Sequence, residues 1–195
     1  LQDPIRKFAT QNNIPVVLTP MAKGIIPETH PCYTGILFHA KSDAAASIYR
    51  DADLVIGIGY DPIEFNYEAW MPNIPLIHID TAPVDITADY SNIHDITGNL
   101  ADALSFLNAL ELPAYDWDLE KINQNKRKMF QDLVPSGHNF NPAELITILQ
   151  ENMPEDHIIT ADVGAHLHLL GQLWKTAEPN RFIITNGWSA MGFGI

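Results

Sequence analysis

The chain has 195 residues, 46% apolar and 18% charged, with a formal net charge of −13. That length buries one good core, or one core and part of a second, and no apolar run reaches the roughly 18 residues of a membrane span. The acid excess argues against non-specific nucleic-acid binding, which needs Lys and Arg to neutralise phosphates.

Residues 1–12 read as a helix with no strand before it, and LQDPIRKF lacks the basic-then-apolar order of a secretory signal. IPVVLT (14–19) reads as a strand. The single cysteine, Cys32, leaves no internal disulfide framework and fits a reducing compartment, with the cytoplasm as the expectation. SDAAASIYRDA (42–52) reads as a helix with Ser42 as its N-cap. DLVIGIG (53–59) is so apolar that both faces of the strand should be covered, as in a parallel sheet, and IPLIHID (74–80) is similar. HDITG (94–98) is a shorter strand, followed by NLADALSFLNAL (99–110) with apolar residues at helical spacing. This rhythm predicts α/β architecture, a doubly wound parallel sheet of Rossmann-like type.

The character changes from ELPAYDWD (111–118) to VPSGHNF (134–140), where a polar helix, 118–134, is flanked by proline and glycine. Residues 113–138 therefore read as a linker. Within them KINQNKRK (121–128), the densest basic cluster, reads as a solvated helix face. NPAEL (141–145) opens a new helix, with Asn141 as N-cap, Pro142 at the first helical position and Glu144 in the first turn. HIITADVG (157–164) is a strand, HLHLLGQLW (166–174) a helix and RFIITNG (181–187) a strand. A second α/β unit thus occupies 139–195. Both ends read as cut, because Leu1 is not an initiator Met and MGFGI reads as entering a helix.

Three segments, in order, resemble the acetolactate synthase group of thiamine-diphosphate enzymes. The first runs from PVVLTPMAKGIIPETHP (15–31) through ADLVIGIGYDPIEF (52–65) to IPLIHIDTAP (74–83). The second is ITADVGAH (159–166) and the third TNGWSAMGFG (185–194). The resemblance implies that residues 1–112 are the central domain and that 139–195 begin the diphosphate-binding domain, truncated. It further implies condensation of two pyruvates to 2-acetolactate with release of CO2, using thiamine diphosphate and Mg2+, in a homodimer or homotetramer. The family's activating glutamate and its metal motif lie outside these residues, so the fragment alone is expected to be inactive.

By that resemblance Val163, Gly164 and His166 line the terminal phosphate of the cofactor. Backbone N–H groups at a helix N-terminus, with glycine allowing close approach, suit such an anion. The blander reading of the same residues is a capped βα turn. Ala165 stands where anabolic synthases usually carry glutamine. His168 points to another helix face than His166, which argues against a His-x-His metal pair. The resemblance also makes Met191 the apolar wedge beneath the bent coenzyme, its N–H on the pyrimidine, with the Ser189 carbonyl on the 4′-amino group. Methionine adapts to such a surface, although Trp188 and Met191 could equally be core residues.

Members of the group that bind FAD would contact it at positions matching Thr19, Phe38, His39, Gly59, Tyr60 and Asp80. Asp61 stands where they usually carry arginine, an unfavourable charge beside a pyrophosphate, and IGYDPIEF resembles the flavin-independent catabolic synthases. NGWSAMGFG follows the anabolic or general pattern instead. The balance is against FAD; His39 and Asp80 then read as ordinary loop and strand-end residues, and Lys23 as a solvated lysine. Other readings stay open: another thiamine-diphosphate 2-keto acid decarboxylase or carboligase, a non-catalytic nucleotide-binding module, or a scaffold without ligand. GIGYDP supplies only two glycines of a Gly-x-Gly-x-x-Gly fingerprint.

Overall fold

A computed structural model describes residues 1–61, 74–85, 92–113, 115–134, 137, 141–185, 191–192 and 194, apart from the side chains of residues 49 and 50. Helix α1 (Gln2–Asn12) buries Phe8 and Ala9 and stops where Asn13 turns left-handed, φ 52. The Ile14 N–H then reaches back to the Ala9 carbonyl at 3.0 Å, satisfying an acceptor that the helix end leaves open. Strand β1 (Val16–Leu18) pairs in parallel with β2 (Tyr33–Ile36), whose four residues are all buried. Helix α2 (Ser42–Asp51) packs on β2. At Gly35, φ 137, an added Cβ would fall 2.8 Å from the Ala45 Cβ, so helix and strand approach where only glycine fits. Ser42 is already the first helical residue, not the cap that the sequence predicts.

Strands β3 (Val55–Ile58), β4 (Leu76–Asp80) and β5 (Ile93–Thr97) form a second parallel sheet in that order. Helix α3 (Leu100–Ala109) follows β5, capped by Asn99, whose side chain accepts from the N–H groups of Ala101 and Asp102. It buries Leu104 and packs on α1 and β4. Parallel strands, with α2 between β2 and β3 and α3 after β5, are the expected α/β architecture. Among the described residues β1–β2 and β3–β4–β5 share no ladder.

Helix α4 (Leu119–Leu133), within the residues read as a linker, packs one face into the core. Ile122, Lys126, Met129 and Leu133 recur every three or four residues and form one buried stripe, set against α2 and β2. Lys126, inside the cluster read as solvated, is 9% exposed. Its ammonium donates to the carbonyls of Glu28 and His30 and lies 5.7 Å from the centre of the Tyr33 ring. The basic run is thus a solvated face with one inward cation.

Helix α5 (Pro142–Asn152) starts as its sequence predicts, with the Asn141 side chain accepting from the Glu144 N–H at 2.9 Å. Strand β6 (Ile159–Ala161), helix α6 (Ala165–Leu173) and strand β7 (Phe182–Ile184) complete a β-α-β unit with β6 parallel to β7. Ile146, Ala161, Leu167, Trp174, Phe182 and Ile184 are its core. The Trp174 ring, 1% exposed, donates through Nε1 to Nε2 of His157 at 3.1 Å.

Candidate functional site

The second unit meets the first along a buried polar seam. Gln172 on α6 is wholly buried; its side-chain amide donates to the Ile36 carbonyl at 2.8 Å and accepts from the Ile36 N–H at 3.0 Å. Lys23 is not solvated as the sequence suggests. Its side chain has no exposure and pairs with Glu28, whose other oxygen accepts from the Thr176 N–H at 2.7 Å. Desolvation pulls the Lys23 pKa down while the Glu28 charge opposes the fall. Arg6 adds hydrogen bonds to the carbonyls of Gly24, Ile25 and Ala177.

His39 is not an ordinary loop residue either. It is 7% exposed and neither ring nitrogen has a partner among the described residues. An added Cβ on Gly171 of α6 would fall 2.5 Å from that ring, so the glycine makes room for it. Desolvation, then the neighbouring His168 and Lys23, lowers its pKa to about 4. Of the other positions matched to flavin contacts, Thr19, Phe38, Gly59 and Tyr60 follow parallel strands and Asp80 ends β4. The carboxyl ends of strands are where such layers take ligands. The Asp80 carboxylate accepts from the Thr81 N–H at 2.5 Å.

Beyond β6 the chain turns through Asp162 and Val163 to Gly164, the N-cap of α6, with φ 158 and ψ 176. That combination is open almost only to glycine, and a Cβ there would lie 2.7 Å from the His166 ring. The first turn of α6 therefore opens at a glycine corner, with the Leu167 N–H bonded to the Gly164 carbonyl at 3.0 Å and His166 exposed beside it. Met191, 72% exposed, comes to the same corner because Asp162 reaches across to the turn that follows it. The Asp162 carboxylate accepts from the N–H groups of Gly192 at 2.7 Å and Gly194 at 2.6 Å, and the Thr160 hydroxyl donates to the Gly194 carbonyl at 3.0 Å. The residue before Val163 is thus tied to the residue after Met191; Ser189 and Trp188 lie outside the described residues. The sequence reading overlooked Asp162, although an aspartate between a strand and a glycine turn is a signal for backbone capture.

Among the described residues no three His, Cys, Asp or Glu side chains are grouped to hold a metal ion. No helix among them is long and apolar enough to cross a membrane.

The fold and this corner define an α/β chain of parallel strands with an anion-suited βα turn. Residues 1–110 match the family described as thiamine pyrophosphate enzyme, central domain, and the chain belongs to that family. It is similar to a probable acetolactate synthase large subunit of Methanocaldococcus jannaschii, 30% identical over 93% of this chain and 33% of that protein. It is also similar to the acetolactate synthase large subunit of Lactococcus lactis subsp. lactis, 29% identical over 99% of this chain and 34% of that protein. The acetolactate synthase isozyme 2 large subunit of Escherichia coli is 26% identical over 98% of this chain and 35% of its own length. The chain thus spans about a third of the length of these relatives.

Proposed function

We propose that the protein to which these residues belong is a thiamine-diphosphate-dependent acetolactate synthase, condensing two pyruvates to 2-acetolactate with release of CO2. The observation that carries this reading is similarity over nearly the whole chain to proteins named acetolactate synthase. Tethering of the Met191 turn to the Asp162–His166 turn supports it. Thiamine diphosphate, with Mg2+, supplies the carbanion chemistry when bound. Val163, Gly164 and His166 would line its terminal phosphate, Met191 would supply the apolar wedge beneath it, and the Ser189 carbonyl would take its 4′-amino group. Residues 113–138 join the central domain, 1–112, to the start of the diphosphate-binding domain, 139–195.

FAD is not part of this reading. His39, one of the matched contacts, is buried against Gly171, and Asp61 puts an anion where a pyrophosphate would lie. A homodimer or homotetramer and a cytoplasmic setting complete it. The buried Cys32 thiol, whose pKa burial raises, is compatible with that setting.

Calorimetry tests the reading, with thiamine diphosphate plus Mg2+, FAD and NAD titrated separately into the full-length protein alongside an acetolactate assay. Thiamine diphosphate binding and acetolactate formation are expected. Turnover of pyruvate without thiamine diphosphate sinks the proposal. Binding of an adenine dinucleotide alone favours a nucleotide-binding module.

A further inference from the structure

We infer that Asp162 is a positioning residue that holds the Met191 turn and the Gly164 turn in one fixed relation. The inference rests on the thiamine-diphosphate reading for its consequence but on hydrogen bonds within this chain for its substance. Asp162 directly follows Ala161, the last residue of β6, so its backbone is anchored by the β6–β7 ladder. Its two carboxylate oxygens take different amides thirty or more residues away: Oδ2 that of Gly192 and Oδ1 that of Gly194. Both bonds, at 2.7 and 2.6 Å, are short for N–H···O, as charge-assisted bonds are. Gly192 adopts φ +84, and Gly194 runs so close to the strand end that an added Cβ would lie 3.0 Å from the Asp162 nitrogen. Thr160 supplies a third bond to the same turn from inside β6.

A bidentate carboxylate fixes orientation as well as distance, because both oxygens must keep their amides at once. Two residues beyond Asp162, Gly164 opens α6. Asp162 therefore stands at the root of the turn proposed for the diphosphate and grips the turn that carries the proposed wedge. The separation of the two proposed coenzyme-binding loops then depends on a side chain that need not touch the coenzyme. Asparagine does not reproduce this geometry: with the two N–H groups on separate oxygens, the asparagine NH2 would take the place of one oxygen and face its N–H donor to donor.

The test uses 15N-labelled wild-type protein and the variants Asp162→Asn and Asp162→Glu. In wild type the Gly192 and Gly194 amides should exchange with deuterium at least roughly tenfold more slowly than in Asp162→Asn, the change expected on losing a hydrogen bond to a charged group. Asp162→Glu, which keeps both oxygens on a longer arm, should recover part of that protection. Equal exchange in wild type and Asp162→Asn overturns the clamp, as does identical behaviour of the two variants, which would mean that packing holds the turn. Thiamine diphosphate plus Mg2+ is titrated into the same proteins. Affinity roughly ten- to a hundredfold weaker in Asp162→Asn supports the positioning role, and equal affinities overturn it. A wild-type protein that does not bind thiamine diphosphate overturns the proposed function and the positioning role together, while the amide exchange still decides the clamp.

Discussion

His39 and Gly171 form a pair in which each explains the other. A buried imidazole whose nitrogens lack partners is stable only when neutral, and its pKa of about 4 against an ordinary 6.5 expresses that. Because the folded state binds the proton more weakly than the unfolded chain, stability is full above pH 6.5 and falls as pH drops toward 4. The full loss is about 3 kcal/mol. Urea midpoints measured across that window should decline in wild type, and the decline should flatten in His39→Gln. Gly171→Ala gives a second measure. Alanine favours a helix by about 1 kcal/mol over glycine, yet its methyl would strike the His39 ring, and such overpacking costs ~1–3 kcal/mol. The melting temperature should therefore fall in Gly171→Ala alone and rise when the same change is made in a His39→Ala background.

At the scale of elements, α4 carries the sharpest expectation. Met129 is 2% exposed within the buried stripe, so Met129→Ala should cost ~2–5 kcal/mol in urea denaturation. A substitution in a spacer helix would cost almost nothing. The stripe was legible in the sequence as Ile122, Met129 and Leu133, but Lys126 between them concealed it. A lysine reads as solvent-facing until three-dimensional packing brings the Glu28 and His30 carbonyls to its ammonium. Elements with a local cause were read correctly. Asn141 and Pro142 announce α5, and the aliphatic runs announce β3 and β4. Strand β2 was missed because its four residues include Gly35 and follow Pro31, features that usually mark a loop. At the site, Val163, Gly164, His166 and Met191 came from a family likeness. Asp162, which links them, is visible only once Gly192 and Gly194 are brought 30 and 32 residues back to it.

For the whole molecule, the seam governs how the two α/β units hold together. Lys23 and Glu28 of the first unit lie where neither meets water, and the second unit closes over them, Thr176 through its N–H and Phe182 through its ring 5.5 Å from the ammonium. Glu28→Gln removes the compensating charge, and breaking a buried pair from one side costs ~3–5 kcal/mol. Wild type should unfold in a single step, with the amides of β6 and those of β4 reporting the same midpoint. In Glu28→Gln the two probes should separate, because each unit then melts on its own account. Coincident midpoints in the variant would show that the apolar contacts of α4 suffice to join them.

Gln172 has one more consequence. The Leu37 N–H bonds to Leu18 of β1, so Ile36 turns its own N–H and carbonyl away from β1, and the helix side chain takes both. A single buried amide thus fills the place that a neighbouring strand would take beside Ile36. Gln172→Leu would leave both groups buried without a partner, each at ~1–3 kcal/mol, and the melting temperature should fall.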